Sequence, residues 1–214
     1  MPAIKRIASA GKEYTTRPEL LTPDPKAMLE WVQLGEIVLP TGALVACDPL
    51  VTPRRAPFPA HLPAGTYPVW LARDTDDRDA ACVLLRLSEN APVRWEQALL
   101  PNKDPARLEP DQRWGYPVDS GVGSFMDAQT AQQVAERPAT GKAILSDVLK
   151  RIAPSYANVL VDETTGANVI AFATQGDGVF STYFGFDAGG GIVSVLTDIN
   201  LFEEAEEDAA STSS

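Results

Sequence analysis

Residues 158–198 hold the pattern that most restricts how this chain can fold. Four apolar runs rich in valine, isoleucine and phenylalanine follow one another there, and short turns of glycine, aspartate and threonine separate them. Such runs around such turns are typical of β-hairpins. The pattern therefore predicts two antiparallel hairpins, with turns at 162–166 and 188–191. The four predicted strands lie at 158–161, 167–173, 179–187 and 192–198.

The first half of the chain predicts more strands. Residues 36–39 and 43–47 surround a Pro-Thr-Gly turn and predict a hairpin. After a proline-rich connecting loop, Pro68 places the next strand at a sheet edge or a bulge, because proline cannot donate to the ladder. Three further strands are predicted at 66–72, 80–87 and 92–100. Together with the hairpin, they are expected to form an antiparallel meander.

Three segments predict helices. Asp24 and Pro25 favour a first helix that runs to Gly35. Asp127 is expected to cap a helix over 128–136, and Thr140 to precede another that Pro154 ends. The spaced apolar residues of this last helix are Ile144, Leu145, Val148, Leu149 and Ile152.

Together these elements predict an α+β fold, in which antiparallel β-rich sheets carry two or three packed helices. We expect an N-terminal segment and helix at 1–35, a single α+β domain at 36–202 and a disordered acidic tail at 203–214. The tail holds five of the acidic residues, at 203, 204, 206, 207 and 208.

The net charge of −11 and the pI near 4.5 favour basic protein partners and argue against nucleic acid, because an acidic surface repels phosphate. No apolar run approaches the ~18 residues that span a bilayer, and no apolar segment follows the basic residues of the N-terminus. We therefore expect a cytoplasmic protein that does not enter the membrane.

The residues that most often bind metals are few. Cys47 and Cys82 lie in apolar runs and are expected to be buried free thiols. His61, the single histidine, lies among prolines. Because no usual ligand spacing is present, we expect no metal and no cofactor.

The candidate site combines two segments of glycine, aspartate and aromatic residues, at 115–127 and 176–187. The candidate catalytic residues are Asp119, Ser120 and Asp177, although Ser120 has no evident base to take its proton. Glycines can instead leave backbone N–H groups free for an anion. The alternative is a tight turn that leads into a capped helix. The full set of candidate ligand-binding residues is Tyr116, Asp119, Ser120, Gly121, Gly123, Asp177 and Tyr183.

Two further interpretations stay open at this point. Five aspartates offer oxygen ligands for a hard cation, but each also suits a local turn, cap or strand end. In the strand at 179–187, Phe180, Phe184 and Phe186 share one side and Tyr183 faces the other. The five aspartates are Asp119, Asp127, Asp177, Asp187 and Asp198.

Four ordered motifs, at 39–50, 63–72, 115–128 and 158–198, resemble those of the bacterial family called domain of unknown function 4241. The resemblance spans about residues 36–202. It implies no established activity, cofactor or catalytic residue. Similar proteins are associated with bacterial toxin systems, where small acidic proteins act as immunity partners, and this association is an analogy.

Two hypotheses of different classes follow. The first is an acidic binding module, of immunity or regulatory type, that captures a basic protein partner. The second is a small-molecule enzyme or ligand sensor whose pocket is built from the segments 115–127 and 176–187. In the second, Asp119 or Asp177 acts as general base, and the two segments must be neighbours.

Overall fold

The structure is a computed structural model that describes residues 29–74, 80–101, 103, 114–150 and 155–199. The predictions for residues 1–28, for Ile152 and Pro154 and for the acidic tail lie outside the described residues. The described chain forms twelve strands and two helices. They are β1 (Leu29–Leu39), β2 (Leu44–Cys47), β3 (Gly65–Asp74), β4 (Ala80–Arg86), β5 (Arg94–Gln97), β6 (Tyr116–Val118), β7 (Val122–Asp127), α1 (Ala128–Glu136), α2 (Pro138–Leu149), β8 (Tyr156–Asp162), β9 (Ala167–Ala173), β10 (Gly178–Phe180), β11 (Thr182–Phe186) and β12 (Ile192–Asp198).

The strands form three antiparallel sheets. A six-stranded sheet has the order β1-β3-β4-β12-β11-β5, and a four-stranded sheet has the order β2-β7-β9-β8. A small two-stranded sheet joins β10 to β6. The α+β class is thus present in a strongly β-rich form, with two helices in the described chain.

The architecture has three layers, because the four-stranded sheet is apolar on both faces. Along β7, Phe125 packs into the core between the two large sheets, while its neighbour Met126 packs into a second core under the helices. This alternation is what a strand with period two produces. Ile37 and Val195 complete the inter-sheet core from the six-stranded sheet, and Ile144 of α2 closes the second core.

The helix predicted to end at Gly35 is wrong over 29–34, where the chain forms β1. β1 pairs with β3 along its length, and its register shifts between Gln33 and Gly35. Gly35 has φ +128°, and an added Cβ would lie 2.6 Å from Nδ2 of Asn158. Strand pairing and a glycine bulge therefore prevail over the helix that Asp24 and Pro25 favour.

The hairpin predicted around the Pro-Thr-Gly turn is also wrong. β1 and β2 belong to different sheets, because β1 pairs with β3 and β2 pairs with β7. In the meander, β3 and β4 are neighbours, but β5 lies beside β11 at the far edge. β3 is an internal strand, and its pairing with β4 begins at Val69, directly after Pro68.

The local predictions of the second half are largely confirmed. α1 spans the predicted residues, and β8 pairs with β9 and β11 with β12. α2 begins at Pro138, before the expected cap at Thr140. The strand predicted at 179–187 is broken at Ser181, so that β10 and β11 join different sheets. No helix in the described part of the chain is long and apolar enough to span a bilayer.

Candidate functional site

The two glycine-aspartate segments are neighbours, as the second hypothesis requires. β6 of the first segment pairs with β10 of the second, with Gly178 opposite Val118. Asp119 follows Val118 and Asp177 precedes Gly178, so the two aspartates lie at the same end of this two-stranded ladder. The backbone N–H of Thr174 also donates to the Gly121 carbonyl at 3.0 Å.

A buried carboxylate holds the turn of the first segment. Oδ2 of Asp48 accepts hydrogen bonds from the backbone N–H groups of Asp119 (3.0 Å) and Ser120 (2.9 Å). Its Oδ1 accepts from Leu50 (2.9 Å) and Val51 (3.1 Å). Asp48 is fully buried. The N–H groups that the turn could offer to an external anion at these two positions are therefore bound by the protein itself.

The sequence-based predictions miss this role of Asp48. The available signal is an Asp-Pro step directly after an apolar strand, where aspartate often accepts hydrogen bonds from the backbone that follows. Its second set of donors, on the turn at 119–120, lies 71 and 72 residues away. Local sequence does not encode that contact.

The three candidate catalytic residues do not form a nucleophile–base pair. Asp119 and Asp177 are exposed, and neither carboxylate has a hydrogen bond or ion pair among the described residues. Oγ of Ser120 is buried and has no hydrogen-bond partner there. His61 lies elsewhere, in an isolated bridge with Ala43. The turn thus presents carboxylates to solvent without assembling a base beside the serine.

The remaining candidate ligand-binding residues are divided by the six-stranded sheet. Tyr116 is buried in the inter-sheet core, whereas Tyr183 packs with Trp95 on the opposite face. Phe184 lies on the Tyr116 side, as the predicted alternation requires. Gly123 allows Tyr116 to approach, because an added Cβ would lie 2.7 Å from its hydroxyl.

Gly121 has a different role, since it has φ +67° and open space around its Cα. It therefore serves the turn that follows Ser120 rather than a close packing contact.

Two of the five aspartates considered for a hard cation, Asp127 and Asp187, serve local roles. Asp127 caps α1, and its two oxygens also bind the N–H and Oγ1 of Thr41. Asp187 accepts from Asn90 and from backbone N–H groups of its own turn, and the Asn90 hydrogen bond is the main cause that lowers its pKa. Among the described residues, no group of three or more His, Cys, Asp or Glu side chains could hold a metal ion.

A pocket lies beside β6, where the end of β5, the start of β11 and the proline-rich loop meet. Its charged residues are Arg55 and Lys103. Nη2 of Arg55 donates to the Gly115 carbonyl at 2.9 Å, and Nε is buried without a partner in the described part of the chain. Nζ of Lys103 lies 3.8 Å from the centre of the Trp114 ring. The other lining residues are Phe58, Ala98, Leu100, Trp114, Gly115, Tyr116 and Thr182.

Burial sets the protonation states around this pocket. It lowers the pKa of Arg55, while the guanidinium remains a cation at neutral pH. It raises the pKa of Tyr116, and the nearby Thr197 hydroxyl and Arg55 only moderate that rise. The phenol is therefore protonated and can donate a hydrogen bond. Sequence reasoning missed Arg55 and Lys103, although an Arg-Arg step within the proline-rich loop of an acidic chain is a visible signal.

Fold and site together define a β-rich α+β protein with a braced acidic turn and a small cationic pocket. The profile of the family described as "Protein of unknown function (DUF4241)" matches residues 37–197. The chain belongs to this family, as the four motifs indicate. No curated protein and no solved structure matches it.

Proposed function

We propose that this protein is an acidic binding module that captures a basic protein partner through the exposed surface of β6 and β10. We call this surface the acidic ladder. The observation that carries the proposal is the pair of exposed carboxylates, Asp119 and Asp177, at one end of the ladder, without a partner among the described residues. The acidic ladder consists of Pro117, Asp119, Asp177, Gly178 and Val179, all exposed.

The acidic ladder combines charge with an apolar contact and free backbone groups. Val179 is 62% exposed and lies beside the carboxylates. In the described chain β10 pairs on one side, with β6. Its other edge offers N–H and C=O groups to an extended segment of a partner. A strand that carries lysine or arginine next to an apolar residue would complement the carboxylates, Val179 and the edge of β10.

The support beneath the ladder favours recognition over catalysis. Asp48 fixes the turn at 119–120 through two hydrogen bonds, so little conformational entropy remains to be lost when a partner binds. The net charge of −11 would accelerate encounter with a basic protein. A serine nucleophile needs a neighbouring base, and no described contact supplies one.

An immunity-type role in the bacterial cytoplasm is the specific form of this proposal, and it takes its support from the family's analogy with toxin systems. The two buried free thiols, Cys47 and Cys82, suit a reducing compartment. A toxin encoded beside this protein would be the basic partner. Co-production of the two proteins should then protect the cell, whereas a variant with a neutral ladder should not.

The test compares two double variants that remove the same charge. Asp119→Asn with Asp177→Asn neutralises the ladder, whereas Glu136→Gln with Asp147→Asn neutralises two residues of the helical layer. Each full-length protein is used as bait in a lysate of its source cells, and captured proteins are quantified by mass spectrometry. We expect at least one basic protein to be depleted about tenfold with the ladder variant and retained with the helical one.

The captured partner is then purified, and its association rate is measured as the salt concentration rises. Charge complementarity predicts a rate that falls with salt, because exposed charges are screened over ~10 Å at 0.1 M. Equal capture by the two double variants, or a rate that salt does not change, would overturn the proposal.

A ligand sensor is the second candidate, and a separate observation favours it. Gly115 and Tyr116 come from one glycine-aspartate segment and Thr182 from the other, and all three line the pocket that holds Arg55. Asp119, Ser120 and Asp177 do not line this pocket. The geometry therefore supports binding of a small molecule there rather than the general-base chemistry of an enzyme.

A further inference from the structure

We infer that the pocket around Arg55, which we call the Arg55 pocket, binds the carboxylate group of a small molecule. The inference rests on the ligand-sensor candidate and gives its ligand a chemical class. Capture of a basic partner uses different residues, so failure of the carboxylate site would leave the acidic ladder untouched.

The charge of the Arg55 pocket is opposite to that of the chain. Arg55 and Lys103 line it, and no aspartate or glutamate is among the described residues that line it. Asp48 acts electrostatically on Tyr116, but its oxygens already accept four backbone hydrogen bonds. In a protein of net charge −11, two cations with no described carboxylate partner mark a site for an external anion.

Donors in the pocket lack acceptors. Nε of Arg55 and Nε1 of Trp114 are buried, and neither has a hydrogen-bond partner among the described residues. Buried donors are normally paired, since leaving one unsatisfied is costly. Carboxylate oxygens only accept hydrogen bonds, so they complement this set.

The small volume of the pocket favours a carboxylate over larger oxyanions. The cavity volume is about 20 Å³. A water needs at least about 10–15 Å³ on the same measure, so the pocket has room for a group little larger than water. A planar carboxylate is smaller than a tetrahedral phosphate, and it matches the flat fork of a guanidinium. The rest of the ligand would lie against the apolar wall at Phe58 and Leu100.

Gly115 connects the position of the Arg55 guanidinium to strand β10. Its carbonyl holds Arg55, and an added Cβ at Gly115 would lie 2.5 Å from the Phe180 carbonyl oxygen. The glycine therefore lets β6 approach β10 while it positions the guanidinium. Arg55 is the residue that we expect to determine specificity for the anion.

The experiment is a nuclear magnetic resonance titration of the full-length, ¹⁵N-labelled protein at constant ionic strength. The probes are acetate and benzoate, with acetamide and benzamide as uncharged controls of similar shape, and inorganic phosphate as the competing anion. The signals are the indole N–H of Trp114, assigned by Trp114→Phe, and the Nε–H of Arg55. We expect both signals to shift saturably with the carboxylates and to stay unchanged with the amides.

Arg54 supplies a matched control, because it is the exposed neighbour of Arg55 on the same loop. Arg55→Met should weaken carboxylate binding about tenfold or more, since a charge-assisted hydrogen bond is lost. Arg54→Met should leave the binding constant unchanged. Lys103→Met, which removes no hydrogen bond to the described backbone, should weaken binding severalfold and keeps the test valid if the Arg55 variant unfolds.

Three outcomes would overturn the inference. The first is the absence of a saturable shift with either carboxylate. The second is equal binding by the Arg55→Met or Lys103→Met variant and the unmodified protein. The third is saturation by phosphate while acetate and benzoate have no effect, which would show an anion site of another class.

Discussion

Asp48 is the residue on which the geometry of the acidic ladder most depends. It is fully buried, and its carboxylate ties the end of β2 to a turn that lies far away in the sequence. Hydrogen bonds to a charged acceptor contribute about 1.5–3 kcal/mol, and removal of one partner leaves the others buried and unsatisfied. One side chain thus links stability with the placement of the exposed carboxylates.

Asp48→Ala is therefore expected to lower the free energy of unfolding by about 3–5 kcal/mol, and Asp48→Asn by about 2 kcal/mol, because the amide replaces one accepting oxygen by a donor. Urea unfolding at neutral pH measures both values. Asp119→Asn is the control, because its exposed carboxylate has no described partner, and it should change stability by no more than about 0.5 kcal/mol. A loss with Asp119→Asn as large as that with Asp48→Asn would contradict this account.

Only some of the individual residues of the candidate site can be predicted from the sequence. Sequence identifies Tyr116 and Asp119, because glycine and aspartate around an aromatic residue indicate a turn with exposed polar groups. It groups Tyr183 with them, although the parity of its strand turns that side chain to the other face. Arg55 is missed because its hydrogen bond to Gly115 joins residues 60 positions apart and depends on how the proline-rich loop packs against β6.

At the scale of elements, the sequence predicts the pairing of strands that are close along the chain, but not the pairing of strands that are far apart. The turn between β8 and β9 begins at Asp162, whose Oδ1 accepts from the N–H of Thr164 at 2.8 Å, so the hairpin is encoded locally. β2 pairs with β7 across about 80 residues, and turn chemistry cannot specify such a partner. After Leu39 the chain enters the other sheet, where the N–H of Thr41 donates a hydrogen bond to Asp127.

Asp127 caps α1 and also binds Thr41 in the connection between β1 and β2, so one side chain couples the helix to the segment that joins the two sheets. It accepts from the N–H of Gln129 at 2.9 Å and from the N–H of Thr41 at 2.9 Å. Asp127→Ala should lower the free energy of unfolding by about 2–4 kcal/mol, since a lost cap alone costs about 0.5–2 kcal/mol. Thr41→Val removes the Oγ1 hydrogen bonds to Asp127 and keeps the backbone N–H, so it measures the hydroxyl part of the Thr41 contribution. The difference between the double variant and the sum of the single ones gives their coupling energy.

Arg137 is the matched control for this prediction. It occupies the N-cap position of α2 and makes no side-chain cap hydrogen bond. Arg137→Ala should therefore stay within about 0.5 kcal/mol of the unmodified protein in the same urea titration. If Asp127→Ala unfolds no more easily than Arg137→Ala, the cap does not connect α1 to the turn at Thr41.

At the scale of the whole molecule, the two large sheets and the helices are joined by continuous apolar packing. β7 contributes Phe125 to one core and Met126 to the other, so loss of either core exposes the same strand. Buried ionisable groups lie on both sides of this strand: Tyr116 in the inter-sheet core and Cys47 in the core under the helices. Cys82 lies on the outer face of the six-stranded sheet. Their titration therefore reports on global unfolding.

These groups predict a loss of stability in alkali. Burial raises the pKa of Cys47 from 9.0 to about 12, and it also raises the pKa of Cys82 and Tyr116 above their ordinary values of 9.0 and 10.0. Because the folded state holds these protons more tightly, their contribution to stability is complete below about pH 9 and falls as the pH rises toward the folded pKa. Each group then contributes a loss of about 1.4 kcal/mol per pH unit.

Urea midpoints measured between about pH 7 and pH 11 test this prediction, with Cys82→Ala as the informative variant. That substitution should cost some stability at neutral pH, because it removes a buried sulfur, yet its stability should fall less steeply above about pH 9. Lysine deprotonation affects both proteins alike, so the difference between their slopes isolates the thiol. Parallel curves for the two proteins would show that Cys82 titrates equally in the folded and unfolded states, in contradiction to its burial beneath Trp95 and Leu84.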